Sequence, residues 1–230
     1  SGRTQDINLI NLSKWLNELG IKIEEVRIVP DNEIAIIHTV NFLRKRFNYI
    51  FTTGGIGPTH DDITSQSISK AFNDKLVLNK IAKKRLEKHY SDETLTSARL
   101  KMAYLPSKSI FIDNPVSIAP GFSIENVHVF PGVPKIFQVM LKEFIKKIGE
   151  QKKFFKKNIA TEIPEGIFAE YVGEVQKKFQ DIEIGSYPYF KKKTFGVSLI
   201  IRGDEESLVN EVSDLIFKYL EKIDGNPRLF

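Results

Sequence analysis

Phe51-Thr52-Thr53-Gly54-Gly55-Ile56-Gly57-Pro58-Thr59-His60-Asp61-Asp62 is the stretch of this sequence best equipped for chemistry. A short β-branched run ends in glycines, and a helix is predicted to start a few residues later, from about Thr64 to Phe72. Glycines admit positive φ and let backbone N–H groups approach a ligand with no Cβ in the way. Beside a helix N-terminus, such amides make an anion site suited to phosphate. The loop is not a Walker A motif, since no Gly-Lys-Ser/Thr occurs, and it is not the dinucleotide fingerprint. Asp61 and Asp62 would repel a phosphate unless a hard divalent cation sat between them, bridging carboxylate and phosphate oxygens. The plainer alternative is a tight turn whose Asp62 or Thr64 merely caps the helix.

Other segments share this character. Phe130-Pro131-Gly132-Val133-Pro134 is again strand, glycine turn and helix, with Pro134 at an N1 position. Asp113-Asn114-Pro115 and Ala119-Pro120-Gly121-Phe122 flank one strand. Ligands of open α/β sheets sit beyond the carboxyl ends of strands, so the Gly54–Asp62 and Pro131–Pro134 loops should share a rim. Of the four histidines, His38, His89 and His128 have no metal-ligand spacing and read as ordinary surface or helix residues. His60 lies inside the strong loop and is the one placed to touch a ligand. No G-x-S-x-G occurs, so a nucleophile elbow is unsupported.

The elements that must position these loops follow from periodicity. Leu12, Trp15, Leu16 and Leu19 mark one face of a helix that stops at Gly20. Ile21 to Val29 alternates with Lys22, Glu24 and Arg27 and predicts a strand. Asp31 or Asn32 caps a helix striped by Ile36, Ile37, Val40 and Leu43, and Tyr49 to Thr53 reads as a buried parallel strand. Residues 73–108 are Lys-rich and predicted to form two helical pieces, followed by strands at 109–112, 116–122 and 126–130. A strongly striped helix then runs through Phe137, Met140, Leu141 and Phe144. This alternation predicts an α/β sheet with right-handed crossovers. Composition shifts near Gly149, and strand, helix, strand, strand and helix follow, an α+β unit too short for a second doubly wound sheet.

Composition narrows the classes. The chain has 230 residues, with 41% hydrophobic and 27% charged, which is ordinary globular usage and allows two domains. No stretch approaches the ~18 apolar residues of a membrane helix, so no membrane partner is expected, and no export signal is visible. The count of zero Cys excludes thiolate nucleophiles, zinc–thiolate sites and iron–sulfur clusters, and suits a reducing cytoplasm. A net charge of +5 fits anionic small ligands. The Lys-rich stretches at 142–157 and 191–193 read as solvated faces, and nucleic acid is not the favoured partner.

Thr53 to Asp62 resembles the signature of the molybdopterin-binding (MoaB/Mog-type) fold. Ser1-Gly2-Arg3-Thr4-Gln5-Asp6, Val29-Pro30-Asp31-Asn32, Ala119 to Phe122 and Phe130 to Pro134 narrow the likeness to the N-terminal part of the competence/damage-inducible CinA family. The molybdopterin-binding half of eukaryotic FAD synthases is similar. Ile184-Gly185-Ser186-Tyr187-Pro188 and the tail resemble the small KH-like domain of those proteins. The resemblance implies a three-layer α/β domain with a mostly parallel sheet over residues 1–150, and a small α+β domain over 155–225. It also implies hydrolysis of the diphosphate of ADP-ribose or a similar dinucleotide, with Mg²⁺, Mn²⁺ or Co²⁺ as cofactor. Carried over by position, Thr53, Gly54, Gly55, Gly57, Pro58 and Thr59 would hold phosphate. Asp61 and Asp62 would bind the metal or orient the attacking water. Asp31, Asn114, Gly121, Gly132 and Pro134 would line the pocket, and Arg3, Thr4, Asp6 and Asn8 would close its phosphate side. The alternative is a binding protein that holds a pterin or nucleotide without turning it over.

Family members carry a strand and a Gly-Asp/Asn-Glu turn ahead of the segment matching Ser1-Gly2-Arg3, so the chain as read is expected to lack its N-terminal strand. The nicotinamide-mononucleotide deamidase domain of full-length CinA proteins has no counterpart in these residues, and no deamidase activity is expected. Gly166, Gly173, Gly185, Gly196, Gly203 and Gly225 include no pair three apart, so the RNA-clamping G-x-x-G is lacking. The tail reads instead as a packing or homodimer element.

Overall fold

The computed structural model describes residues 5–90, 94–146, 148, 154–191 and 194–230. Two compact units divide the chain, one of residues 1–17 and 22–149, the other of residues 18–21 and 150–230. No helix among the described residues is long and apolar enough to cross a membrane.

The first unit runs α1 (Ile7–Glu18), α2 (Glu33–Leu43), β1 (Ile50–Thr53), α3 (Thr64–Ala71), β2 (Leu76–Leu78), α4 (Lys80–His89), α5 (Ser97–Lys101), β3 (Tyr104–Pro106), β4 (Ile110–Ile112), β5 (Gly121–Ile124), β6 (Val127–Phe130) and α6 (Pro134–Ile145). Local chemistry sets several starts. Asn32 Oδ1 accepts the Ala35 amide to cap α2, Asn79 Oδ1 accepts the Ile81 and Ala82 amides to cap α4, and Thr96 caps α5. Pro134 opens α6, where its missing N–H costs nothing.

β1, β6, β5 and β4 form one four-stranded sheet in that order. β1 and β6 are parallel, from Ile50 opposite Val127 to Thr53 opposite Phe130, while β6–β5 and β5–β4 are antiparallel. The sheet is therefore mixed, and its parallel character resides in the pair that carries both glycine loops. All four residues of β6 are buried because helices cover both faces. On one face Ile36, Val40, Ile68 and Phe72 pack on Ile50, Val127 and Val129. On the other, Phe137, Met140 and Leu141 meet Phe130, joined by Leu12, Trp15, Phe51 and Phe144. These are the three layers.

Beyond the strand expected at 116–122, which begins only at Gly121 because Asn114 draws the Val116 and Ser117 amides into a turn, two features depart from the pattern reading. Ile21–Val29 has no strand partner among the described residues, and Val26 and Ile28 stand exposed. The run is tied instead by Arg27, whose guanidinium lies 4.3 Å from the Phe42 ring centre, and by Val29 at the core edge. Alternation records which side chains face water, not whether a neighbour offers a ladder. The second departure is the antiparallel pair β2–β3, where Leu76 faces Pro106 and Leu78 faces Tyr104. It brackets α4 and α5, and three-residue strands are too short to show a period.

His128 also differs from the surface residue expected. It sits on β6, 8% exposed, with ring centres of Phe144 and Phe51 at 4.6 and 5.4 Å. Nδ1 lies 2.8 Å from Ser123 Oγ, and Nε2 is buried without a partner.

The second unit comprises β7 (Phe155–Thr161), α7 (Glu165–Lys178), β8 (Glu183–Lys191), β9 (Thr194–Gly203), α8 (Glu206–Lys222) and β10 (Arg228–Leu229). Its sheet is antiparallel throughout, in the order β10-β7-β9-β8. Both helices pack on one face, where Phe168 and Val175 of α7 and Val212 and Ile216 of α8 meet Ile159, Val197, Leu199 and Ile201.

Burial holds the His128 imidazole down to a pKa of about 4 against an ordinary 6.5, so the folded state prefers the neutral ring. The unfolded chain binds the extra proton first, and the stability this gives is whole above about pH 6.5 and is lost as pH falls toward 4. The loss is at most about 3 kcal/mol. Urea unfolding of wild type and His128→Phe at neutral and acid pH checks this: the acid-induced loss should shrink in the variant.

Candidate functional site

The parallel register of β1 and β6 carries their C-terminal ends to one rim. Gly54, directly after β1, donates its N–H to Phe130 O at 3.0 Å. Gly132, two residues beyond β6, approaches so closely that a Cβ there would lie 3.2 Å from Gly54 Cα. Gly54 itself has φ +100, a conformation that a side chain rarely adopts. The two loops thus touch backbone to backbone.

Asn8, on the first turn of α1 and 6% exposed, fastens them. Its Nδ2 donates to Thr53 Oγ1 at 2.7 Å and to Gly132 O at 2.8 Å. Thr53 Oγ1 in turn donates to Pro131 O at 3.2 Å. Asn8 Oδ1 is buried with no hydrogen-bond partner among the described residues.

From Gly55 the loop is pinned by Ile56, 9% exposed in the core, while Pro58, Thr59, His60 and Asp61 stand in solvent. Gly55 has φ +68, and a Cβ on it would collide with Thr64 Oγ1. Its carbonyl accepts the Thr64 N–H at 2.9 Å. Neither Asp62 nor Thr64 caps α3: Ile63 holds the N-cap position with no side-chain bond, and of the first-turn amides that of Thr64 is taken by the Gly55 carbonyl.

Asp62 closes the loop on itself. Its Oδ2 accepts the Thr59 N–H at 2.8 Å and the Thr59 hydroxyl at 2.5 Å. Gly57 is the residue that admits this carboxylate, since a Cβ there would sit 2.7 Å from Oδ2. Asp61 is exposed, and its carboxyl lies below the ordinary range, first through the nearby Thr59 hydroxyl, whose proton it shares with Asp62, then through its own N–H, with smaller help from His60 and Lys101. It is thus ionised at neutral pH. Two adjacent carboxylates beside an amide-lined rim suit a hard cation completed by phosphate oxygens and water. Among the described residues, no three acidic or imidazole groups converge into a cage that would hold a cation without such a ligand.

The remaining sequence-derived residues divide. Pro134 begins the helix behind Gly132. Asp6 caps α1, its Oδ1 accepting the Leu9 N–H at 2.9 Å. Asp31 is exposed just ahead of α2, with no bond to the glycine loop among the described residues. Asn114 is fully buried and organises its own turn: Nδ2 donates to Ser117 Oγ and Ala119 O, while Oδ1 accepts the Val116 and Ser117 amides. Gly121 is buried in β5, where a Cβ would strike Val129 O, so sheet packing accounts for it. Arg3 and Thr4 lie outside the described residues.

One functional-looking residue escaped the motif reading. Lys101, the last residue of α5, donates from Nζ to Thr59 O at 2.7 Å. It comes from a Lys-rich stretch, and nothing in its neighbourhood marks it out before the chain is folded.

Gly55→Ala should destabilise the first unit by about 2 kcal/mol or more, because it forces a side chain into left-handed φ against Thr64. Gly173→Ala in α7, where a Cβ meets nothing, should stabilise the second unit by about 0.5–1 kcal/mol. Urea unfolding of the two variants should therefore shift in opposite directions.

Residues 1–150 match the family described as probable molybdopterin binding domain, and residues 153–224 match the FAD synthase, middle domain. A protein of Sulfurisphaera tokodaii is 32% identical over 235 residues, covering 97% of this chain and 89% of that one. A probable FAD synthase of Caenorhabditis briggsae is 29% identical over 237 residues, covering 92% of this chain and 45% of the relative. The crystal structure of the CinA protein of Thermoplasma acidophilum superposes with a TM-score of 0.61 at 31% identity, covering 64% of this chain and 90% of that one. The chain belongs to the probable molybdopterin binding domain family, with its C-terminal part matching the FAD synthase middle domain.

Proposed function

We propose that the rim joining Gly54 and Gly132 binds the phosphates of a nucleotide and that the protein hydrolyses the diphosphate of ADP-ribose or a similar dinucleotide to AMP and a sugar phosphate. The observation that carries this reading is the ionised, exposed Asp61 beside Asp62, on a glycine loop that leads into a helix with no side-chain cap. The match to a FAD synthase middle domain supports a ligand of the nucleotide class.

Asp61, with the unshared Oδ1 of Asp62, would hold a divalent cation against the diphosphate oxygens. When bound, that cation supplies neutralisation of the diphosphate charge and polarisation of its P–O bonds. The protein's own groups do the rest. Amides of residues 55–57 would receive the charge that develops on phosphoryl oxygen. Asp61 orients a water toward the adenylyl phosphorus; its oxygen forms the new P–O bond while the bond to the bridging oxygen breaks. The sugar phosphate leaves with that oxygen, and the proton passes to solvent.

A second reading, binding without turnover, is favoured by the two bonds that commit Asp62 Oδ2 to Thr59. In that reading the acids build the loop and a pterin or nucleotide phosphate simply rests on it.

Incubation with ADP-ribose, FAD or NADH and Mg²⁺, Mn²⁺ or Co²⁺, followed by quantification of AMP, separates the two. Asp61→Asn should lower AMP release by about 100-fold or more with unchanged unfolding, and Asp62→Asn should lower both AMP release and stability. Wild-type turnover in Asp61→Asn, or no AMP from a wild-type protein that binds these ligands, would move the assignment to binding alone.

A further inference from the structure

We propose that Lys101 is a phosphate-binding residue of this site, lent to the Thr59 carbonyl in the free protein and taken over by the ligand's diphosphate. The inference rests on the reading above that the glycine loop receives phosphate.

Lys101 reaches the loop across a sequence separation of 42 residues, with Nζ 2.7 Å from Thr59 O. Its backbone is held firmly. Thr96 caps the short helix that ends at Lys101, Ala103 two residues later is fully buried, and Leu105 is 2% exposed. The side chain itself is exposed to solvent. An ammonium has three donors, and among the described residues this one has a single hydrogen-bond partner, a neutral carbonyl. A doubly charged phosphate is a stronger partner for that charge than a carbonyl oxygen.

Neighbouring cations are already committed. Arg85 pairs with Asp113 and lies 5.1 Å from the Phe111 ring centre. Arg99 donates to Thr94 O and lies 4.4 Å from the Tyr90 ring centre. Among the described residues of this stretch, Lys101 is the basic side chain with a hydrogen bond to the glycine loop. Asp61 and Asp62 otherwise make the rim acidic, and Lys101, bonded to Thr59 and lowering the Asp61 carboxyl, brings the opposite charge to the same loop. A flexible stem with a point charge suits a group that must leave one oxygen for another.

Calorimetric titration of the full chain with inorganic pyrophosphate and with adenosine, at low and high salt, tests the assignment in wild type, Lys101→Met and Lys101→Arg. The expected result is a loss of about tenfold or more in pyrophosphate affinity for Lys101→Met, a shallower salt dependence, unchanged adenosine affinity and partial recovery in Lys101→Arg. In turnover, KM for ADP-ribose should rise more than kcat falls. Equal pyrophosphate affinity in wild type and Lys101→Met would overturn the proposal, as would parallel losses for adenosine and pyrophosphate, which mark a purely structural hold on Thr59. Pyrophosphate binding without AMP release from any substrate refutes hydrolysis alone, since the titrations still decide on Lys101. No pyrophosphate binding by the wild type overturns both.

Discussion

The contact on which the site depends is the approach of two backbones at Gly54 and Gly132, held by the side-chain amide of Asn8. Parallel pairing of β1 with β6 brings the two strand ends side by side, but only residues without a Cβ let the loops meet. Asn8 then satisfies polar groups from both loops at once, in a place water scarcely reaches. An unpaired polar group there would cost about 1–3 kcal/mol, so the amide fixes the spacing of the loops as well as stabilising them. α1 is thereby coupled to the rim through its first turn, while its apolar face rests on the layer that holds Phe130 and Phe137.

Electrostatics follows from that scaffold. The rim concentrates N–H groups and a helix N-terminus, which favour anions, and then places two carboxylates beside them. The conflict is partly relieved within the protein: Thr59 takes one oxygen of Asp62 into the loop, and Lys101 brings a cation to the carbonyl of the same residue. Asp61 keeps its charge in solvent. In the proposed reading, a diphosphate that brings both negative oxygens and a counter-cation completes this arrangement.

The loop sequence made much of this legible, because its glycines and acids sit within a dozen consecutive residues and their chemistry is local. The family resemblance gave Asn114 and Gly121 a place at the ligand, and in the fold both positions have structural work of their own. Every hydrogen-bonding group of the Asn114 side chain is spent on its own turn, and Gly121 yields to the Val129 carbonyl across the sheet. Composition cannot distinguish an Asn that faces a ligand from one that faces its own backbone. Ile21–Val29 shows the same limit in the sheet, for an alternating pattern needs a partner edge before it becomes a strand.

By itself, the sequence determined the glycine loop and its acids, the helices with well-formed apolar stripes, the α/β alternation and the small α+β unit, because these rest on local φ preference and on periodicity along one segment; the three layers came from the family resemblance. Tertiary structure alone decided that Asn8 bridges the loops, that Lys101 arrives from far along the chain, that His128 is buried among aromatic rings, and that the sheet mixes parallel and antiparallel pairs. Each of those depends on which segments meet in space, and a pattern read along one segment carries no information about the segment it will face.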